Sequence, residues 1–130
     1  MKGLFSISTE LSATALEVYT AWLDSKQHSD FTGGEARISD LVKTDFTAWD
    51  EYISGKNIEL IPNSKIVQSW RTVQFEDNEE DSQIEIQLIE NNRVTELTLI
   101  HTKVPESGEH YRKGWETSYF APMREYFDGL

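Results

Sequence analysis

The spacing of hydrophobic residues changes three times along the chain. Phe5-Ser6-Ile7-Ser8 alternates apolar and polar, which predicts a half-buried strand. From Ser12 to Phe31 the spacing becomes helical. Leu16, Tyr19 and Leu23 share one face, with Val18 and Trp22 beside it. Ser12 is placed to cap this segment, Asp24-Ser25 supplies a break and a fresh cap, and Gly33-Gly34 ends it, so two short helices are expected. After Gly34 the period is two. Ala36 and Ile38 alternate with Arg37 and Ser39. Phe46 to Trp49 runs into an Asp50-Glu51 turn, Tyr52 to Gly55 returns, and Ile58 to Ile61 continues to a Pro62-Asn63 turn. Ile66, Gln68 and Trp70 then oppose Val67, Ser69 and Arg71. Ile84, Ile86 and Leu88 oppose Gln83, Glu85 and Gln87. Asn91-Asn92 reads as a hairpin turn, because Asn tolerates positive φ, and Thr95, Leu97, Leu99 and His101 share the next inward phase.

From Ser107 to Leu130 the spacing is helical again. At about 100° per residue, Tyr111, Trp115, Tyr119, Pro122, Tyr126 and Leu130 fall on one face. Ser107 is the expected cap, Glu106 and Glu109 suit the positive end of the helix dipole, and Gly129 is the expected stop. Pro122 lies inside this helix, where its ring presses on the carbonyl of Ser118, and a kink is expected there. A helix so rich in large aromatics needs a broad apolar surface. The preceding strands, joined by short turns, supply it as an antiparallel meander with one buried face. The class is α+β: a curved antiparallel sheet of about six to seven strands wrapped around a long C-terminal helix, with two short helices after the first strand.

Composition narrows the functional classes. Of 130 residues, 38% are apolar and 12% aromatic, enough for one core and too many for a disordered chain. The net charge of −11 disfavours nucleic acid and anionic membrane surfaces, since the densest basic group is only Arg112-Lys113. The chain has no cysteine, which removes disulfides and thiol nucleophiles and fits a reducing compartment. Neither a secretory leader nor an apolar run of membrane-spanning length is evident, so a cytoplasmic, uninserted protein is expected. No phosphate loop, hydrolase elbow or metal-binding helix appears, and no cofactor or metal is implied.

Several segments together resemble the homologues of the activator of heat-shock-protein-90 ATPase, within the START-like helix-grip superfamily. They are Trp22-Leu23-Asp24-Ser25, Phe31-Thr32-Gly33, the stretch from Ser54 to Pro62, Ile66 to Arg71, Thr95 to His101 with Val104-Pro105, and Gly114-Trp115 with Tyr119-Phe120 and Tyr126-Phe127. One departure is Thr44-Asp45, where relatives often carry two glycines. The resemblance covers most of the chain and implies a single domain over residues 1–130, with a cavity between sheet and C-terminal helix that takes a small hydrophobic or amphipathic ligand. Two other roles go with it: a chaperone partner whose ATPase the protein stimulates, and a cyclase or hydrolase activity in the same cavity.

If that cavity exists, the pattern places Phe46, Trp70, Ile84, Ile86, Leu97, Leu99 and His101 on its sheet wall, and Tyr111, Trp115 and Tyr119 on its helix wall. The same aromatics could instead fill the space as ordinary core. His101 is a candidate polar anchor or general base, with a structural hydrogen bond as its plainer role. His28 and His110 sit among polar residues and are expected to be exposed. Arg71 is expected to pair with Glu85 across strands. Glu76 to Asp81 gathers five carboxylates without calcium-loop spacing and reads as a solvated hairpin tip.

Overall fold

The computed structural model describes residues 3–129, apart from the side chain of Ser107. The predicted cap at Ser107 and the stripe position Leu130 therefore lie outside the described residues.

Strand β1 (Gly3–Leu11) leads into helices α1 (Ala15–Leu23) and α2 (Ser25–Thr32). Strands β2 (Asp45–Ala48), β3 (Ile53–Ile61), β4 (Lys65–Thr72), β5 (Ser82–Asn91) and β6 (Val94–Val104) follow. The six strands form one antiparallel sheet in the order β1-β6-β5-β4-β3-β2. Strands two to six are a meander, and β1 closes onto the last of them. The C-terminal helix begins after a 3-10 turn (Glu106–Gly108). It comprises α3 (His110–Trp115), a π turn (Glu116–Phe120) and α4 (Ala121–Asp128).

Local chemistry accounts for most boundaries. Thr14 caps α1, not Ser12. Its hydroxyl accepts from the Glu17 amide while Glu17 accepts from the Thr14 amide, a reciprocal capping box. Asp24 ends α1 and caps α2 through Gln27, and Gly33 closes α2 at φ 86°. Leu16 is mostly exposed, while Ala15, Val18, Tyr19, Ala21, Trp22 and Leu23 are buried, so the inward face is broader and centred elsewhere than expected. Of residues 36–39, only Arg37 pairs, as an isolated bridge to Thr47. In the β5–β6 hairpin the loop residues are Asn92 and Arg93, at φ 55° and 65°. Asn91 pairs with Val94, one position on from the expected turn.

The C-terminal helix shows the most instructive difference. Tyr111, Trp115 and Tyr119 are buried as expected, but beyond them the buried residues are Phe120, Met123 and Phe127, not Pro122 and Tyr126, which are half-buried. The π turn explains this. It adds one residue to a turn, so every inward position after it moves along by one. The turn also ends just before Pro122, where the chain widens instead of keeping an α-helical hydrogen bond that proline cannot make.

The sheet's concave face carries Ile66, Trp70, Ile84, Ile86, Leu88, Leu97 and Leu99, all buried against the C-terminal helix and α1. A buried polar relay crosses this core. Trp22 Nε1 donates to Gln68 Oε1 (3.2 Å), Gln68 Nε2 donates to Asn57 Oδ1 (2.8 Å), and Asn57 Nδ2 donates to the carbonyls of Ser39 and Leu41. It ties α1 to the long loop before β2, with each buried donor and acceptor paired as burial demands.

Candidate functional site

Sheet and helix do not close on each other everywhere. At the end of the sandwich where the β2–β3 hairpin meets the start of the C-terminal helix, a cavity of about 300 Å³ remains. Its sheet wall is Trp49, Tyr52, Ile53 and Trp70. Its helix wall is His110, Tyr111, Gly114, Trp115, Ser118 and Tyr119. Exposed His110 and half-exposed Tyr52, Gly114 and Ser118 mark the mouth, and buried Trp70, Trp115 and Tyr119 form the floor. The volume sits at the lower end of the range for small-molecule sites, and an aromatic lining with few polar groups is their usual character.

Of the ten residues the sequence pattern proposed, the cavity brings together Trp70, Tyr111, Trp115 and Tyr119. Ile84, Ile86, Leu97 and Leu99 lie deeper, packed in the sheet centre with no more than 1% exposure. Phe46 lies buried over Gly55, where a side-chain Cβ would come within 2.8 Å of its ring. His101 lies behind the floor.

His101 is fully buried and both ring nitrogens are engaged. Trp115 Nε1 donates to Nδ1 (3.1 Å), so the ring proton sits on Nε2, which donates to Ser82 Oγ (2.9 Å). Ser82 Oγ in turn donates to the carbonyl of Trp70 (2.7 Å). Edge-on contacts with Phe5 and Trp70 complete its surroundings. Burial among these rings pushes its pKa down to about 3. The nitrogen nearest Ser82 carries the proton and so cannot take one from that hydroxyl. The pair anchors β4, β5 and the helix to one another and is not arranged as a nucleophile and base.

His28 departs from expectation most clearly. It is 1% exposed rather than solvated. Its Nδ1–H donates to the Trp22 carbonyl (2.7 Å), and its Nε2 accepts from the Tyr119 hydroxyl (2.9 Å). Desolvation lowers its pKa to about 4 and raises that of the fully buried Tyr119. Helix α2 presents polar Lys26, Gln27 and Ser29 around it, which is why the sequence reads as solvated there. His110 is exposed, as expected, with Nε2 donating to Gln74 Oε1 (3.2 Å). Gln74 Oε1 also accepts from the Tyr52 hydroxyl, so a polar strap spans the cavity mouth. Tyr111 shares a 2.5 Å hydrogen bond with Thr72 Oγ1, and burial pushes its pKa up to about 12.

Arg71 does not reach Glu85. It faces Ser54 on β3 and pins the acidic loop instead. It donates to Asp81 Oδ1 (2.8 Å) and to the carbonyls of Glu79 and Glu76 (3.1 Å each), with its charge over the Phe75 ring. The carboxylate run therefore folds back on the sheet rather than projecting as a free tip. Sequence reasoning missed Trp49, Tyr52, Ile53, His110, Gly114 and Ser118 as cavity residues. The available signal was the hairpin turn at residues 49–51, which projects these aromatics from the sheet edge toward the start of the helix.

A curved antiparallel sheet gripping a C-terminal helix, with a cavity between them at one end, defines a START-like helix-grip domain. The chain belongs to the family described as activator of Hsp90 ATPase homolog 1-like proteins, whose sequence profile matches residues 12–128. No curated protein matches it. Among solved structures it is similar to an HSP90 activator from Plasmodium falciparum, with 20% identity, a TM-score of 0.88 and 96% of each chain covered. It is also similar to the Aha1 dimer of Colwellia psychrerythraea, with 14% identity, a TM-score of 0.77, and 98% and 96% covered. CalU16 from Micromonospora echinospora matches with 21% identity and a TM-score of 0.78, over 95% of this chain and 73% of that one. At these identities the likeness establishes the fold. Among the described residues no helix is long and apolar enough to cross a membrane.

Proposed function

We propose that the protein is a non-enzymatic START-like domain that binds a small hydrophobic or amphipathic molecule in the cavity between the β2–β3 hairpin and the C-terminal helix. The observation that carries this reading is Gly114. It lies in the interior of the C-terminal helix, where glycine costs about 0.5–1 kcal/mol relative to alanine. No close neighbour requires it, because a Cβ there would meet nothing within 4 Å. Gly114 lines the cavity, so its missing side chain keeps space open that a larger residue would occupy. The cost in helix stability is explained if the space is used. The engaged nitrogens of His101 support the non-enzymatic character, and the absence of cysteine supports a cytoplasmic setting. The test is a titration of intrinsic tryptophan fluorescence against a panel of fatty acids, sterols and small aromatic compounds. Three of the four tryptophans line the cavity, so saturable quenching is expected; a flat response across the panel would reject the reading.

A second reading rests on the family's description and on the Plasmodium falciparum HSP90 activator that shares the fold. Here the protein contacts a heat-shock-protein-90 type chaperone through its acidic surface and stimulates the ATPase. Long-range attraction between exposed charges is screened by salt, so stimulation would weaken as ionic strength rises. An ATPase rate unchanged by excess protein at low salt would end this reading.

A further inference from the structure

Thr72, the last residue of β4, and Val73 and Gln74 just after it hold the two walls of the cavity together at its mouth. The sheet wall is held through Tyr52. Its carbonyl accepts from the Val73 amide (3.0 Å), and its hydroxyl donates to Gln74 Oε1. The helix wall is held through His110 and Tyr111. His110 Nε2 donates to the same Gln74 oxygen (3.2 Å), and the Tyr111 hydroxyl shares its hydrogen bond with Thr72 Oγ1. Gln74 Oε1 therefore takes one donor from each wall. Tyr52, His110 and Tyr111 line the cavity, whereas none of Thr72, Val73 and Gln74 does.

The two parts of this clamp differ in how easily they open. Thr72 and Tyr111 are buried, at 3% and 7% exposure, so parting their hydroxyls would leave polar groups away from water. The Thr72 hydroxyl also accepts from the Gln74 amide (3.1 Å). One residue further on, Phe75 is buried with its ring edge-on to Trp70. Gln74 thus stands between two buried anchors, and its side chain is placed in advance. Its own bridge lies in the open. Gln74 and His110 are exposed and Tyr52 is half-exposed, so water replaces each lost partner and the net cost of opening is small. The Thr72–Tyr111 bond is a fixed hinge, and the Gln74 bridge is a releasable latch.

We propose that Gln74 is a positioning residue that controls access to the cavity: its bridge opens to let an apolar ligand pass and closes to hold the two walls at a fixed spacing around it. This inference rests on the cavity being a binding site and adds how a ligand enters and leaves. Gln74 lies outside the lining, so it contributes no contact to a bound molecule, and losing its bridge leaves affinity nearly unchanged. Because the bridge joins the sheet wall to the helix wall, the same loss lowers the barrier to passage in both directions, as removing the fastening of a lid does. The aromatic floor of Trp70, Trp115 and Tyr119 does the binding, and the latch sets its rate.

The test follows the exchange of 1-fluoronaphthalene by ¹⁹F exchange spectroscopy in wild type and two variants. Gln74→Leu keeps the bulk and removes the acceptor; Gln74→Glu keeps an acceptor oxygen. In Gln74→Leu the entry and exit rates are expected to rise together by about threefold to tenfold, as the loss of two exposed hydrogen bonds implies, while affinity changes by less than about twofold. Gln74→Glu is expected to exchange at the wild-type rate. A merely structural role would instead lower affinity or the urea midpoint. Exchange in Gln74→Leu at the wild-type rate, or weaker binding with an unchanged entry rate, overturns the latch while the binding site stands. Acrylamide quenching of tryptophan fluorescence decides the case in which no apolar probe binds, because three tryptophans line the cavity. Faster quenching in Gln74→Leu then keeps the latch and rejects the binding reading; unchanged quenching rejects both.

Discussion

The two buried histidines make this domain acid-sensitive in a defined window. His28 and His101 are held neutral by burial, with pKa values lowered to about 4 and about 3 from an ordinary 6.5. In the unfolded chain both would take up protons as pH falls through 6.5, whereas the folded protein would not. The unfolded state then binds more protons, so stability rises with pH across the window and falls as acid is added. Above about pH 7 the effect vanishes. At about pH 5 each histidine lies some 1.5 pH units below its unfolded pKa and well above its folded one, which at 1.36 kcal/mol per unit is a loss of about 2 kcal/mol each. The two sites belong to separate hydrogen-bond networks, one through Tyr119 and one through Ser82, so the losses add to about 4 kcal/mol. That is a large part of the roughly 5–15 kcal/mol that holds a typical domain folded. Carboxylates contribute little above pH 5, and the third histidine, His110, is exposed. The assay is urea denaturation at pH 7 and pH 5. With a slope of about 2 kcal/mol per molar, the midpoint falls by about 2 M. His101→Gln lowers stability at neutral pH but halves its dependence on pH. A midpoint that moves by less than about 0.5 M, or imidazole resonances of His28 and His101 that titrate near 6.5 in the folded protein, would refute the reasoning.

Four further outcomes are expected. Gly55→Ala prevents normal pairing of β3 with β4, since the new Cβ would stand 1.9 Å from the Ser69 carbonyl; the variant is expected to be insoluble or to lose near-ultraviolet circular dichroism. Gln68→Leu leaves Trp22 Nε1 and Asn57 Oδ1 unpaired in the core and costs about 2–5 kcal/mol, measured by thermal or urea unfolding. Thr14→Ala removes the capping box of α1 and costs about 1 kcal/mol by the same measurement. Arg71→Met frees the acidic loop from β4, which limited proteolysis between residues 73 and 81 detects as faster cleavage with little change in overall stability.

Alternation along the chain was enough to locate β4 to β6, their inward faces and most of the turns, because a sheet with one dry face writes its period directly into the sequence. The two short helices were legible for the same reason, with Asp24 as their shared boundary. What alternation does not record is distance along a strand. Ile84, Leu97 and Leu99 share the inward phase with Trp70, yet they are packed in the sheet centre while room remains near Trp70, where the hairpin at Trp49 and Tyr52 stands away from the helix. The π turn was hidden as well. A single added residue changes no composition, and it moved the buried positions from Pro122 and Tyr126 to Met123 and Phe127. His28 was misread because its neighbours in sequence are polar while its neighbours in space are Trp22, Phe31 and Tyr119.

The proposed binding role of the cavity is tested most directly at Gly114. Gly114→Leu places a branched side chain in a helix that gains propensity from losing glycine, at a position where the cavity is the space available. The measurement is a fluorescence titration of wild type and this variant against whichever apolar compound saturates the wild type. The expected result is a variant at least as stable as the wild type whose binding is weakened by at least about a hundredfold. A stable Gly114→Leu protein that binds the same compound with undiminished affinity would contradict it.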